Sequence, residues 1–166
     1  MTQVLQPLNS VPYYYPTKFA WIKNTTKKLV ATQKTVNIFT KLRNINSGEI
    51  LIINKNPKEE IFSPSNITLT INNKKVTLSN YLKSLNIPSN KMEKFFNYLY
   101  IKALIENPKL TNIINSYNYF IDNNYNSSKN SITPIKPITI YKSLQSQNLL
   151  NEIVDFGSFI KLTEHS

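Results

Sequence analysis

The sequence predicts an α+β fold: a small antiparallel sheet with a packed helical hairpin, preceded by an extended basic N-terminal arm. Three observations carry this prediction. Ile67, Leu69 and Ile71 alternate with Thr68 and Thr70, and Val76 and Leu78 alternate on the far side of Asn72-Asn73, the pattern of a β-hairpin closed by a tight turn. Two apolar stripes at helical spacing meet at Asn107-Pro108, as in two helices folded back on each other. Finally, residues 1–48 carry seven basic groups and no acidic one, whereas the remaining 118 residues carry thirteen basic and nine acidic groups.

The elements follow in chain order. Pro7, Pro12 and Pro16 flank Tyr13-Tyr14-Tyr15, and proline fixes φ and removes a donor, so residues 1–16 read as extended. From Lys18 to Ile45 apolar residues including Val36, Phe39, Leu42 and Ile45 recur at three- and four-residue steps, compatible with a helix ended by Gly48. Ile50 to Ile53 form a strand, and residues 66–78 the hairpin. Ser79 or Asn80 caps a short helix through Leu85. After Pro88, Met92, Phe95, Phe96, Leu99, Tyr100, Ala103 and Leu104 line one helix. Pro108 starts the next, with Leu110, Ile113, Ile114, Tyr117 and Phe120 inward. Residues 122–131 have the composition of a polar loop. Beyond it, Ile138 to Tyr141 reads as a strand, Ser143 to Val154 as a helix stopped by Gly157, and Phe159 to Leu162 as a returning strand. The domain division is an arm with a possible helix at 1–48 and an α+β domain at 49–166.

Composition sets limits on chemistry. The 166 residues include no cysteine, one histidine (His165) and two glycines, Gly48 and Gly157. Disulfides and thiolate chemistry are excluded, no glycine-rich phosphate loop can be built, and a lone penultimate histidine is poorly placed for general-base work. Glu93, Glu106, Glu152 and Asp155 supply carboxylates, but their spacing specifies no site. The expectation is a chain with no metal and no cofactor, and not an enzyme. No apolar run is long enough for a membrane span, and Met1 to Asn9 lacks the pattern of a secretory signal.

Residue usage is skewed: 24 Asn, 21 Ile and 19 Lys stand against 3 Ala and 1 Arg. The abundant types have AT-rich codons, so part of the net charge of +11 reflects coding bias. Bias of that kind does not exclude acids from one end. The candidate binding residues are therefore Tyr13, Tyr14, Tyr15, Lys18, Trp21, Lys23, Lys27, Lys28, Lys34, Lys41 and Arg43. Lysines neutralise phosphates and aromatic rings stack on unpaired bases. Aromatic residues serve equally well to dock an arm on a protein neighbour.

Two resemblances accompany these residues. Pro134-Ile-Lys-Pro137, Tyr141-Lys-Ser-Leu144-Gln-Ser146 and Phe156 resemble the proline–strand–helix end of small-subunit ribosomal protein S10, over about one seventh of the chain. That family's Ser-Pro-His is Ser146-Gln147-Asn148 here. Lys102 to Asn115 and Gln147-Asn148-Leu149-Leu150 resemble pieces of the NADAR-type N-glycosidase domain. That family's tryptophan–glycine motif and catalytic acid find no matching positions, and no residue role is carried over from either family.

Charge, coding bias and the absence of catalytic motifs lead to a structural, RNA-binding subunit of a large ribonucleoprotein assembly. An organellar ribosome in the mitochondrion comes first, with RNA and neighbouring protein subunits as partners. A virion or phage structural protein is the alternative, and an unusual nucleotide-processing enzyme the third reading.

Overall fold

The computed structural model describes residues 3–7, 14–18, 50–53, 61–122 and 132–163, together with Lys41, Asn44 and Gly48. The fold is α+β. Strands β1 (Gln3–Pro7), β2 (Tyr14–Lys18), β3 (Ile50–Ile53) and β6 (Tyr119–Asp122) form a sheet in the order β2-β1-β6-β3. β1 runs antiparallel to β2 and β6, and β3 parallel to β6. The extended backbone expected of the proline-rich start is thus used in a sheet.

The predicted hairpin is present as β4 (Thr68–Ile71) and β5 (Lys74–Thr77). Asn72 and Asn73 turn it with φ of 51° and 66°, the left-handed pair that a two-residue turn requires and asparagine tolerates. The outer edge of β4 is closed by side chains. Thr70 N–H donates to both carboxylate oxygens of Glu106 at 3.2 Å, and the Asn107 amide donates to the Thr68 carbonyl at 3.0 Å. A blocked edge cannot pair with another chain.

Five helices follow among the described residues: α1 (Leu78–Ser84), α2 (Ser89–Ile105), α3 (Pro108–Ile114), α4 (Ile135–Ser146) and α5 (Phe156–Thr163). Thr77, not Ser79 or Asn80, caps α1, its hydroxyl accepting from Asn80 N–H at 3.2 Å. α2 is the core helix. Phe96 to Ile101 are buried on every side of it, along with Ala103 and Leu104, as befits a helix packed all round. Tyr100 donates to the Phe62 carbonyl at 2.6 Å, so its hydroxyl is satisfied inside the core. Phe95 and Tyr98 meet Phe156 edge-on at 5.1 and 5.5 Å between centroids, fixing α5 against α2.

Several expectations near the C-terminus need correction. Phe120 is buried on strand β6, not on the helix of Pro108. Ile138–Tyr141 lie within α4 and are not a strand. The β-branched run Ile-Thr-Ile favours strand locally, but the segment is buried on nearly all faces and packs against α2 and the sheet, so tertiary packing decides. Pro137 fits because it lies in the first turn, where its missing N–H has no helical partner anyway. The helix expected to run from Ser143 to Val154 stops at Ser146, because Asn148 turns left-handed with φ of 58°. Phe159–Leu162 are helical: Asp155 accepts from Ser158 N–H at 2.8 Å while the Ser158 hydroxyl accepts from Asp155 N–H at 3.1 Å. This reciprocal cap starts α5 ahead of Gly157. The helix considered between Lys18 and Ile45, and most of the 122–131 loop, lie outside the described residues.

Candidate functional site

Where α2 and α4 meet, Lys136 of α4 donates to Glu93 of α2 at 2.6 Å. Their side chains are only 21% and 17% exposed. A pair this withdrawn costs desolvation energy that a surface pair does not, while remaining within reach of solvent. One turn along α2 from Glu93, on the same face, stands Asn97, 4% exposed. Its Oδ1 is buried and accepts no hydrogen bond among the described residues. Thr133, three residues ahead of Lys136, is 5% exposed, and its Oγ1 is likewise buried without a partner among the described residues. Buried polar atoms are nearly always paired, and leaving one unpaired costs roughly 1–3 kcal/mol. Two such atoms lie near the two halves of the partly buried ion pair in sequence.

Chemically the arrangement offers a carboxylate anchored by an ammonium, with a carboxamide oxygen and a hydroxyl ready to accept or exchange hydrogen bonds. Ribose hydroxyls suit it, since carboxylates accept from sugar diols. Among the described residues, no three His, Cys, Asp or Glu side chains group as metal ligands.

A second region lies at the other end of α4. Lys142 donates to Asn118 Oδ1 at 3.1 Å and sits 5.9 Å from the Phe120 ring centroid. Burial there pushes its ammonium below the ordinary lysine value. Burial raises neighbouring Tyr141, opposed by a hydrogen bond with the Thr111 side chain.

The other carboxylates noted in the sequence do not join Glu93. Glu106 closes the β4 edge, Asp155 caps α5 and Glu152 lies exposed on the 3-10 turn Leu150–Glu152. Asp155 is held below the usual carboxylate value by hydrogen bonds from Ser158. Of the predicted binding residues, Tyr14, Tyr15 and Lys18 lie on β2, and Lys41 is exposed. Tyr13, Trp21, Lys23, Lys27, Lys28, Lys34 and Arg43 lie outside the described residues. Sequence reasoning set Glu93 aside and missed Asn97. The available signal was their four-residue spacing: two polar residues on the helix face where Ile101 and Leu104 are buried.

Fold and site together define an α+β domain with a partly buried polar site where two core helices meet. A family model described as DarT1-associated NADAR antitoxin matches residues 64–166. The chain belongs to that family. A search of curated proteins finds no match to it.

Family membership overturns the ribosomal reading. The protein is not a structural subunit of an organellar ribosome, and ribosomal RNA and ribosomal neighbours are withdrawn as its partners. The mitochondrial location falls for the same reason. The error had a physical source. Lysine, asparagine and isoleucine enrichment follows coding bias, and the matched segment begins beyond the acid-free stretch on which the ribosomal argument rested.

Proposed function

We propose that this chain is the antitoxin of a DarT1-type toxin and that it works by reversing the toxin's modification. The chemistry fitting both the family name and the site is hydrolysis of an N-glycosidic bond between an ADP-ribosyl group and a nucleobase. The observation that supports it is the Glu93–Lys136 pair, 2.6 Å apart and four-fifths buried, beside the unpartnered Asn97 carbonyl. In such a reaction the bond from anomeric carbon to base nitrogen breaks and water adds its oxygen to that carbon. One water proton ends on the departing base. Positive charge builds on the sugar as the base leaves, and a carboxylate in a partly dehydrated setting stabilises it. Glu93 takes that part in our reading. Lys136 fixes the carboxylate in place, and Asn97 and Thr133 orient the sugar.

The basic stretch has a place in the same reading. Tyr13, Tyr14, Tyr15, Lys18, Trp21, Lys23, Lys27, Lys28, Lys34, Lys41 and Arg43 form an acid-free segment suited to phosphate contacts, so the modified substrate is taken to be nucleic acid.

The test is release of ADP-ribose from nucleic acid modified by the partner toxin, followed by mass spectrometry. Wild-type protein is expected to release it. Glu93→Gln, which keeps the shape and one acceptor oxygen for Lys136 but removes the charge, is expected to lose at least about a hundredfold in rate while still unfolding cooperatively in a thermal melt. Equal release by both proteins, or none by the wild type, refutes the hydrolytic reading.

A further inference from the structure

Lys142 stands on α4 where that helix packs against β6, about 9 Å along the axis from Lys136. The proposed hydrolysis makes no use of it. It is partly buried, yet no carboxylate among the described residues pairs with it. Its surroundings are neutral: Asn118 Oδ1 accepts from its Nζ at 3.1 Å, and the Phe120 ring centroid lies 5.9 Å away. A ring face attracts an ammonium, but 5.9 Å is at the edge of the roughly 6 Å over which that attraction acts. Lost hydration outweighs it, and the ammonium is held below the ordinary lysine value.

This setting tolerates a neutral nitrogen better than a charged one. A neutral amine still has N–H groups, so it keeps the bond to Asn118 while giving up the charge. Its lone pair is then free to attack a carbonyl carbon. The surroundings also discriminate among the products a lysine can form. An alkylated amine stays charged. A carbamate brings a negative charge toward the electron-rich face of Phe120. An amide is neutral, retains one N–H for Asn118 Oδ1, and adds apolar atoms beside an apolar ring. Partial burial of the side chain favours small acyl donors over bulky ones.

We propose that Lys142 is a modification site, acylated without an enzyme by small acyl phosphates. The Nζ lone pair attacks the acyl carbonyl carbon, a C–N bond forms, and the C–O bond to phosphate breaks. Phosphate leaves with the electron pair of that bond, and one proton passes from nitrogen to solvent. Nothing is oxidised or reduced. The reaction is independent of the hydrolytic reading.

The experiment treats the full chain with acetyl phosphate, folded in buffer and unfolded in guanidinium chloride, and reads the rate of acetylation at Lys142 by peptide mass spectrometry. Folding ordinarily slows modification of a lysine, because it covers the nitrogen. Here folding is expected to speed it by at least about twofold at neutral pH, because the folded site raises the neutral-amine fraction. Above pH 10.5, the ordinary lysine value, that advantage should disappear, since the amine is neutral in both states and only the covering remains. Asn118→Asp, at an exposed position, replaces the neutral acceptor by a carboxylate that holds the ammonium charged. It should bring the folded rate at Lys142 below the unfolded one. Asn118→Ala introduces no charge and should still react faster folded than unfolded. Thermal melts confirm that both variants fold. A wild-type folded rate at or below the unfolded rate at neutral pH, an acceleration that persists above pH 10.5, or an Asn118→Asp rate equal to that of the wild type would each overturn the assignment. None of these results bears on ADP-ribose release.

Discussion

Asn97→Leu separates function from stability in one substitution. Asn97 is 4% exposed, in the stretch of α2 where Phe96 to Ile101 are all buried, and its Oδ1 has no donor. Leucine has the same branching at Cγ, so it fills nearly the same space. The substitution removes an unmet carbonyl, a penalty of roughly 1–3 kcal/mol. Leucine's methyl groups are bulkier than an oxygen and an amino group, and overpacking takes back part of that gain. The net expectation is a stabilisation of about 1–2 kcal/mol. For a chain of this size each kcal/mol moves the melting temperature by about 2–4 °C, so a rise of about 2–8 °C should appear in a thermal melt. The same protein should fail to release ADP-ribose, because the amide that orients the sugar is gone. A more stable, inactive protein is the signature of a polar group kept in a core for function. If Asn97→Leu instead melts several degrees lower and keeps its activity, Asn97 is a structural residue and the site has been misplaced.

Other expectations follow from packing and titration. Phe96→Ala, at 1% exposure, should cost about 3–5 kcal/mol in a denaturant titration. Ile113→Ala, 37% exposed although the helical stripe placed it inward, should cost about 1 kcal/mol or less. Titrated by NMR on methylated lysines, Lys142 should lose its proton below the ordinary lysine value of 10.5. Because its folded value lies below the unfolded one, the charged form opposes folding, and that opposition fades as pH rises toward 10.5. Asp155 has the opposite sign: its depressed value means that its contribution to α5 is present above pH 3.8 and is lost as pH falls through the folded value. Asp155→Asn should keep the cap and abolish that pH dependence, as helical chemical shifts at Phe156 to Thr163 would report.

Much of the fold was legible because local and tertiary preferences agree there. Residues 66–78 alternate apolar and polar positions around two asparagines that tolerate positive φ, and they form the hairpin. Ser89–Ile105 and Pro108–Ile114 have helical spacing, and they form α2 and α3. Legibility failed where the two levels conflict. Ile138-Thr139-Ile140 favours a strand by β-branching, yet burial on all sides makes it helix. Gly157 reads as a stop, yet the Asp155–Ser158 cap places it in a first turn. The site was harder still. Glu93 and Lys136 are 43 residues apart, and nothing in the spacing of a lone carboxylate and a lone lysine announces a pair. The acid-free N-terminal stretch drew attention to charge, whereas the features the site reading uses are the Glu93–Lys136 pair and the buried Asn97 and Thr133 oxygens, unpaired among the described residues.

The central claim is that the chain is an antitoxin acting through Glu93. It is tested most directly by co-expressing the full chain with its DarT1-type toxin and measuring growth. Wild-type protein is predicted to restore growth, and Glu93→Gln, present at the same level and folded, to leave the cells arrested. Failure of the wild type to restore growth would contradict the antitoxin assignment. Rescue by Glu93→Gln equal to that by the wild type would contradict the site.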